Sequence, residues 1–425
     1  MNAELTTRMG PAGAGAADPQ TVTDPWLTTG TQPGYQPPAH TGEVVVDLDA
    51  IAGNVAELAR RAASRGAMTM AVVKADGYGH GLLPSALAAL AGGATWLGTA
   101  QVAEALQLRA AGVDAPVLAW LYAPTADLAP AVERHIDLSV ASLFSLNQVA
   151  AAARSTGRRA RIHLKIDTGL GRNGSSVADW PTLIDAAASA QADGLVQVIG
   201  IWSHFAWADA PAHPTVALQQ QVFEQAVEVA AAAGVRPTLR HLANSAATLT
   251  NPDVYYDLVR PGLAVYGLSA VPDLGAPADF GLRPAMSVSC AIALVKRVPA
   301  GHGVSYGHEY RTSAPTQLAL VPMGYADGIP RCAGGTGPIS IDGHRFTVAG
   351  RVCMDQVSLD IGDELLAGVD PAHYPRAVLI GDGPGEPTAQ DWADAGGTIS
   401  YEIVTRMAPG IARRYIGTAG TPRLQ

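Results

Sequence analysis

Polar and charged residues follow a series of apolar runs, at the points where strands of a parallel sheet would end. These residues are Lys74, Lys165, His204, Asn244, Ser245 and the segment Arg260–Gly262. Lys74 opens a glycine-rich turn in AVVKADGYGHG. A lysine that is partly removed from water can present a neutral amine, because burial disfavours the ammonium form. A serine at the start of a helix, beside backbone amides, can bind an anion.

Taken one at a time, these residues have ordinary structural explanations. Lys74 alone would be a solvated lysine at the rim of a sheet. His204 alone would be a hydrogen-bonded structural histidine, Arg260 an ion-pair partner and Ser245 a helix cap. Together, at successive strand ends, these polar groups would cost free energy to bury unless they were paired with one another or served a function. The set therefore predicts a polar functional site.

The elements that must position these residues alternate between short β-branched runs and Ala/Leu-rich amphipathic runs. The predicted strands are Glu43–Leu48, Met68–Lys74, Trp96–Thr99, Pro116–Leu121, Ile136–Val140, Arg161–Ile166, Val196–Ser203, Thr238–Leu242 and Asp257–Val265. The predicted helices are Asp49–Arg65, Ala100–Ala111, Leu143–Ser155, Asp179–Ala192 and Ala217–Ala233, with Asp49 as an N-cap and Gly112, Gly157 and Gly234 after helix ends. This alternation predicts an α/β fold, a (β/α)8 barrel of the TIM type with its chemistry at the carboxyl ends of the strands.

After Arg283 the pattern changes to short β-rich runs separated by Gly, Asp and Pro. These runs are Met286–Val298, Gln317–Pro322, Pro338–Ile341, Arg345–Val348, Val352–Leu359 and Ala377–Ile380. They predict a smaller, mostly antiparallel β domain that is closed by a final helix over Tyr401–Met407. We expect a disordered tail over residues 1–42, the barrel over residues 43–281 and the β domain over residues 282–425.

Composition narrows the class of protein. The 425 residues carry a formal net charge of −9, which argues against wrapping nucleic acid. No uncharged apolar run is long enough to cross a bilayer, and residues 1–42 lack the pattern of a signal peptide. The three cysteines form no CxxC pair, so neither a disulfide framework nor a metal site is predicted. A cytoplasmic enzyme fits these features.

Seven motifs, in order from Lys74 onward, resemble the motif series of the fold-type III alanine racemase family. They are AVVKADGYGHG, HLKIDTGLGRNG, HLANSAA, VRPGLAVYG, GVSYG, GYADGIPR and GRVCMDQ. The first is shared with other barrel-type pyridoxal 5′-phosphate (PLP) proteins, whereas the last three belong to the racemase β domain. The resemblance implies a PLP-dependent homodimer that interconverts L-alanine and D-alanine and supplies D-alanine for peptidoglycan.

The resemblance also implies roles for residues around the cofactor. Lys74 would hold PLP as a Schiff base, Arg260 would face the pyridine nitrogen, and His204 and His241 would orient Arg260. The implied cofactor-binding residues are Lys74, Tyr78, Arg172, His204, Asn244, Ser245, Arg260, Gly262, Leu263 and Tyr401. Lys165 matches a lysine that is often carbamylated in this family and then positions Arg172.

Racemisation needs one base on each face of the substrate. The resemblance implies Lys74 as one base and Tyr306, contributed by the partner subunit, as the other. An unperturbed phenol has a pKa of about 10, so such a base needs nearby positive charge or hydrogen bonds. The implied substrate-binding residues are Arg172, Met354 and Asp355, and the implied entrance residues are Asp209, Tyr325, Arg331 and Arg351.

Other functions remain open at this point. A racemase of serine, lysine or arginine could differ from one of alanine by only a few pocket residues. A decarboxylase of the same architecture is disfavoured by the motifs around Tyr306 and Met354–Asp355. A non-catalytic PLP carrier would explain Lys74 and the phosphate site, but it would need only the barrel.

Overall fold

The structure is a computed structural model, and it describes residues 41–420. The tail expected over residues 1–42 therefore lies almost wholly outside the described residues, as do residues 421–425. At its carboxyl end the expected tail overlaps an ordered element, because Gly42 already begins strand β1 (Gly42–Asp47).

Eight parallel strands form the first sheet. They are β2 (Met68–Val72), β3 (Trp96–Gln101), β4 (Val117–Leu121), β5 (Asp137–Val140), β6 (Ala160–Lys165), β7 (Val196–Trp202), β8 (Leu239–His241) and β9 (Leu258–Val259). The strands lie in the order β8-β7-β6-β5-β4-β3-β2-β9. The two end strands meet through backbone hydrogen bonds from Asp257 N to Arg240 O (3.1 Å) and from Arg260 N to Ala243 O (2.9 Å). The predicted barrel is thereby confirmed.

Helices alternate with the strands of the barrel, and the longer ones cover its outside. They are α1 (Leu48–Ala63), α2 (Lys74–Tyr78), α3 (Leu82–Ala91), α4 (Val102–Ala110), α5 (Ala129–Glu133), α6 (Leu143–Thr156), α7 (Trp180–Ala192), α8 (Pro214–Ala232) and α9 (Ser245–Thr250). The N-cap of α1 is Asp47, whose side chain accepts a hydrogen bond from Ala50 N (2.9 Å). The prediction of Asp49 as this cap is wrong, because Asp49 instead accepts from the amides of Thr418 and Ala419. Gly157 ends α6 in the left-handed conformation, as predicted.

The C-terminal part is mostly antiparallel. Its strands are β10 (Met286–Cys290), β11 (Leu294–Val298), β12 (Gly303–Val304), β13 (Tyr310–Arg311), β14 (Thr316–Val321), β15 (Pro338–Ile341), β16 (His344–Thr347), β17 (Val357–Gly362), β18 (Ala377–Ile380) and β19 (Ala412–Ile416), and its helices are α10 (Ala389–Gly396) and α11 (Ser400–Thr405). One sheet has the order β16-β15-β18-β10-β1-β19, a second has β11-β14-β17, and β12 pairs with β13.

Strand β1 belongs to this C-terminal sheet and not to the barrel. It pairs antiparallel with β10 and parallel with β19. The prediction that Glu43–Leu48 is a barrel strand is therefore wrong. Alternate residues such as Val44 and Val46 are fully buried, which gives β1 a regular period of two. Local periodicity predicts the strand itself but carries no information about its pairing partners.

Three other element predictions are also corrected. The run Asp257–Val265 contains only the short strand β9, because Pro261 and Gly262 break it before a 3-10 turn at Leu263–Tyr266. The run Met286–Val298 is two strands that lie in different sheets. The helix predicted over Tyr401–Met407 is present as α11, but it is not the final element, because strand β19 follows it.

The barrel and the β domain share one continuous cluster of buried apolar residues. The turn after Lys74 packs directly on the β domain, since a side chain at Gly79 would meet the carbonyl oxygen of Val404 at 2.3 Å. This contact brings helix α11 to the carboxyl end of the barrel. Within residues 41–420, no helix has both the length and the apolar character needed to cross a membrane.

Candidate active site

A cavity of about 1230 Å³ opens at the carboxyl ends of the barrel strands. It gathers twelve of the residues implied by sequence, namely Lys74, Tyr78, Lys165, Arg172, His204, Asp209, Asn244, Ser245, Arg260, Gly262, Leu263 and Tyr401. Trp120, Trp202 and residues of the segment 269–273 complete much of its wall. Groups that lie far apart in the sequence thus face one space, as the barrel prediction requires.

Lys74 follows β2 at the start of an unusual turn. Ala75, Asp76, Gly77 and Tyr78 all have φ between 53° and 60°, in the left-handed region. Such a run is unfavourable for L-residues and needs support from its surroundings. Glu104 supplies part of that support, because its Oε1 accepts a hydrogen bond from Ala75 N (2.6 Å). The turn directs the chain away from the strand immediately after Lys74.

The Lys74 amine lies in a desolvated, cationic environment. Its Nζ is 5.8 Å from the ring centroid of Tyr78 and 5.9 Å from that of Trp120. Burial lowers the pKa of Lys74, the charge of Arg172 lowers it further, and Glu104 opposes the shift. The neutral amine is a nucleophile and a base, so this environment prepares Lys74 for either role.

One end of the cavity is built around backbone amides. Ser245 Oγ accepts hydrogen bonds from Gly262 N (2.8 Å) and Ala264 N (3.3 Å). Asn244 caps α9 by accepting from Ala247 N at 3.1 Å. A Cβ atom at Gly262 would lie 2.2 Å from Tyr78 Oη, so glycine lets the tyrosine hydroxyl pack against the backbone at this point. A serine hydroxyl and a tyrosine hydroxyl beside backbone amides suit a phosphate group.

Arg260 is buried at the floor of the cavity. Its Nη2 donates to Ser203 O (2.7 Å), and its Nη1 lies 3.2 Å from His241 Nδ1. The guanidinium carbon stands 4.9 Å from the ring centroid of Trp202, which adds a cation–π contact. Burial lowers the pKa of Arg260 to about 9, which keeps it cationic at neutral pH.

Besides burial, the positive charge of Arg260 also acts on Lys165 and His204 and lowers the pKa of each. Burial and the charges of Arg260 and Arg172 lower the pKa of Lys165 to about 7. Lys165 Nζ lies 4.2 Å from the Trp202 ring centroid. Burial, and next the charge of Arg260, hold the pKa of His204 well below its usual range. His204 is therefore a neutral imidazole, and the neutral amine of Lys165 is accessible near pH 7.

Six of the residues implied by sequence do not line this cavity. They are Tyr306, Tyr325, Arg331, Arg351, Met354 and Asp355, all of which are exposed on the β domain. Backbone and side-chain contacts hold most of them together, because Tyr325 N donates to Cys353 O (3.0 Å) and Ser305 Oγ donates to Arg351 O (2.7 Å). Tyr306 is 70% exposed. The barrel cavity and this β-domain surface, which we call the Tyr306 surface, are thus separate parts of one chain.

Trp202 is a site residue that the sequence motifs do not single out. It ends β7, contacts both Lys165 and Arg260, and donates from Nε1 to Ser139 Oγ (3.1 Å). Its position two residues before His204, at a strand end, was the available signal. Glu104 was missed as well, because its partner Ala75 N is a backbone group that no motif reveals.

The fold and the cavity define a TIM-barrel enzyme with a C-terminal β domain and a desolvated lysine at the barrel mouth. The model of the alanine racemase N-terminal domain matches residues 46–270, and the model of the C-terminal domain matches residues 285–415. The chain belongs to the alanine racemase family.

Individual relatives agree with this assignment. The chain is 57% identical to an alanine racemase of Frankia casuarinae over 88% of this chain and 95% of that protein. It is 56% identical to that of Thermobifida fusca over 88% and 98%. The solved alanine racemase of Streptomyces lavendulae superposes with a TM-score of 0.86 at 52% identity, covering 90% of this chain and 98% of that one. That of Streptomyces coelicolor gives 0.85 at 51%, covering 89% and 98%.

Proposed function

We propose that this protein interconverts L-alanine and D-alanine with PLP as cofactor and with two proton-transferring bases. The observation that carries the proposal is the desolvated amine of Lys74 facing the barrel cavity, with its pKa lowered by burial. Family membership and relatives named alanine racemase support alanine as the substrate. Racemisation requires a proton to leave Cα on one face and return on the other.

The donor set of the cavity fits PLP, a planar ring that carries a phosphate. The backbone at Gly262, the hydroxyls of Tyr78 and Ser245 and the nearby ring of Tyr401 suit the phosphate, with Leu263 beside them. Lys74 would hold the cofactor covalently, and Arg172, His204, Asn244 and Arg260 would surround its ring. When bound, PLP withdraws electrons from the Cα–H bond and makes that proton removable.

Arg260 has a specific place in this proposal, at the ring nitrogen. It stays cationic near neutral pH and has two of its donors committed to Ser203 O and His241 Nδ1. Arg260 would donate a hydrogen bond to the ring nitrogen and keep its own proton. Because the ring nitrogen would then stay unprotonated, bound PLP would be a weaker electron sink. Racemisation would thereby be favoured over transamination.

The second base that we propose is Tyr306 of the partner subunit. Lys74 Nζ would take and return the proton on one face of Cα, and the tyrosine hydroxyl would do so on the other face. In the single chain, Tyr306 lies outside the cavity and is 70% exposed. These facts support a homodimer in which the Tyr306 surface of one subunit covers the cavity of the other. Met354 and Asp355 would then bind substrate with Arg172, and Asp209, Tyr325, Arg331 and Arg351 would line the entrance.

We also propose that Lys165 is carbamylated. Carbamate formation joins the lysine nitrogen to the carbon of CO2 and releases a proton to solvent, so it requires a neutral amine. The lowered pKa of Lys165, about 7, supplies that amine near neutral pH. Because Arg172 and Arg260 both contribute to the shift, the anionic carbamate would also be stabilised by their charges.

The proposal includes a cellular setting and a division into domains. We propose a cytoplasmic enzyme that supplies D-alanine for peptidoglycan, in accord with its family. We place the boundary between barrel and β domain near residue 282, after β9 and before β10, and assign β1 to the β-domain sheet on its pairing. The two family models, which end at 270 and begin at 285, support that boundary.

The direct test is an enantiomer-resolved assay of the purified protein in both directions. We expect PLP binding, conversion of L-alanine to D-alanine and the reverse. The same assay with serine, lysine and arginine separates alanine from the alternative substrates of a racemase. A protein that binds PLP and interconverts neither alanine enantiomer would contradict the proposal.

A further inference from the structure

A continuous row of polar side chains runs from Arg260 into the barrel interior, and all but the last of them are buried. His241 Nδ1 lies 3.2 Å from Arg260 Nη1, and His241 Nε2 lies 2.8 Å from His163 Nδ1. His163 Nε2 lies 3.1 Å from Asp137 Oδ2. Arg161 ends the row by donating to both oxygens of Asp137, at 2.6 and 3.0 Å. We call these five residues the Arg260 relay.

Only one arrangement of protons satisfies every bond of the Arg260 relay. Arginine can only donate, so His241 Nδ1 must accept and its Nε2 must carry the proton. His163 Nδ1 must then accept from His241, which places the His163 proton on Nε2 and directs it to Asp137. A carboxylate only accepts, so it ends the series. Both histidines are thereby neutral Nε2–H tautomers.

The surroundings of the relay keep these rings in contact. His163, His241 and Asp137 are fully buried. A side chain at Gly200, on the strand between β6 and β8, would lie 2.4 Å from His163 Nδ1 and 3.1 Å from His241 Nε2. Glycine on β7 is thus what allows two imidazoles from β6 and β8 to meet. The Trp202 ring stacks on His241 with an interplanar angle of 10°, and Trp96 meets the edge of His163.

We propose that Asp137 and His163 are positioning residues for the racemase site, because they fix His241 as a hydrogen-bond acceptor and thereby fix Arg260. Their effect on catalysis rests on the proposed function, whereas the proton arrangement does not. Neither residue lines the active-site cavity, so they act only through His241.

The carboxylate of Asp137, beyond the two histidines from Arg260, fixes the direction in which the hydrogen bonds of the relay run. An imidazole has two tautomers of similar energy, and a buried row of two imidazoles could run in either direction. In the reversed direction, His241 would point an N–H at the guanidinium, and two donors would face each other at Arg260. Asp137 excludes that direction because it has no proton to donate. Loss of the acceptor would also leave a buried N–H of His163 unpaired, which is costly.

The proton arrangement can be measured directly, without a variant. We expect 15N NMR of the 15N-histidine-labelled holoenzyme to show the rings of His163 and His241 as neutral Nε2–H tautomers. An Nδ1–H tautomer or an imidazolium at either ring would overturn the proposal. The NMR measurement does not depend on racemase activity. The failure of the proposed function and the failure of the relay are therefore distinguishable.

Two substitutions at Asp137 test its effect on catalysis. D137L removes the acceptor, whereas D137N keeps a carbonyl oxygen for His163. In D137L we expect kcat to fall on the order of tenfold, as for loss of an outer-shell partner, with KM changed by less than about twofold. We also expect mixed tautomers at His241 and a higher ratio of transamination to racemisation. Because the Asn amide can also donate, D137N should give tautomers and a kcat between those of the wild type and D137L.

Trp96→Phe is the matched control, since it perturbs the packing on His163 without altering the relay. We expect wild-type tautomers and kinetics from this variant. Wild-type tautomers and reaction ratio in a folded D137L, shown by its PLP content and melting temperature, would overturn the proposal. A loss of the same size in Trp96→Phe would likewise overturn it, because packing alone would then explain the effect. If D137L does not fold, the 15N NMR measurement of the wild-type tautomers tests the proposal by itself.

Discussion

Two lysines of the cavity show how position alters a side chain's chemistry. Lys74 and Lys165 are chemically identical, and both have a pKa lowered first by burial. Arg260 acts on Lys165, and Glu104 partly offsets the shift at Lys74. The third lysine of the chain, Lys296, is exposed on the β domain. Residue type alone therefore does not separate a reactive amine from a solvated one.

Replacing Lys74 by Ala should abolish racemisation and the absorbance of lysine-bound PLP, because no other amine occupies that position. Racemisation in both directions, the absorbance spectrum and the melting temperature are the measurements. Lys296→Ala is the control and should leave all three unchanged. Racemisation at the wild-type rate by a Lys74→Ala protein would refute the assignment of this base.

The lowered pKa of Lys165 predicts a pH dependence of stability. Its pKa is about 7 in the folded chain and near 10.5 when unperturbed, so the unfolded chain binds the extra proton between these values. The free energy of unfolding should therefore increase from pH 7 toward pH 10 because of this residue. Lys165→Met removes that contribution.

The measurement is the difference in melting temperature between wild type and Lys165→Met across this range, in carbonate-free buffer. We expect the wild type to gain stability relative to the variant as the pH rises. Added 13C-bicarbonate should reduce the trend and produce a carbamate signal in 13C NMR that the variant lacks. A difference that does not change with pH in carbonate-free buffer argues against a lowered pKa.

At the scale of secondary-structure elements, the turns that end the barrel strands determine where the functional groups of the site lie. The left-handed turn after β2 and the break at Pro261–Gly262 after β9 each place functional groups where the regular strand stops. Glu104, on α4, joins neighbouring strand ends because its carboxylate accepts from Ala75 N, Ala100 N and Gln101 N. One carboxylate thus holds both the β2 turn and the end of β3.

Glu104→Ala should destabilise the protein by about 1–3 kcal/mol, because it leaves backbone N–H groups without their charged acceptor. It should also weaken PLP binding, since the turn that carries Lys74 loses support. Denaturant unfolding and PLP titration measure the two effects. Gln107→Ala, at an exposed position of the same helix, is the control. Equal behaviour of the two variants would show that Glu104 does not hold the turn.

The position of β1 predicts a sharp boundary for truncation. Because β1 lies between β10 and β19, its removal splits the six-stranded sheet. A chain that starts at residue 41 should keep the melting temperature and activity of the full chain. One that starts at residue 48 should lose both, through loss of buried residues such as Val44 and Val46. Retained stability in the shorter chain would show that β1 is dispensable.

At the scale of the whole molecule, the chain carries two incomplete halves of the proposed site. The barrel cavity holds Lys74, and the Tyr306 surface lies elsewhere on the same chain. A symmetric dimer would form two sites, each from one cavity and one partner surface. This arrangement makes a prediction that a site within one chain does not share.

Lys74→Ala and Tyr306→Phe should each be inactive alone but regain activity when the two proteins are unfolded and refolded together. Random pairing gives about one quarter of all sites an intact Lys74 and an intact Tyr306, so about a quarter of wild-type activity should return. The two variants refolded separately and then mixed are the control. No recovery in co-refolded heterodimers, confirmed by affinity tags, would contradict a shared site.

Much of the fold and of the candidate site could be predicted from the local sequence pattern. The alternation of strands and helices determined the barrel, and the residues at strand ends determined the cavity at Lys74, His204 and Ser245. Parallel strands bring their carboxyl ends together, so local periodicity carries this information. The motifs further identified the family, because their order along the chain is itself a constraint.

Other features depended on tertiary structure. Pairing between strands far apart in sequence assigned β1 to the C-terminal sheet and left Tyr306 outside the cavity of its own chain. The row from Arg260 to Asp137 also formed only on folding, because its members come from three different strands and the loop after β9 and meet across Gly200. Sequence determines which groups are available, but buried hydrogen bonds depend on distances that only the packed barrel decides.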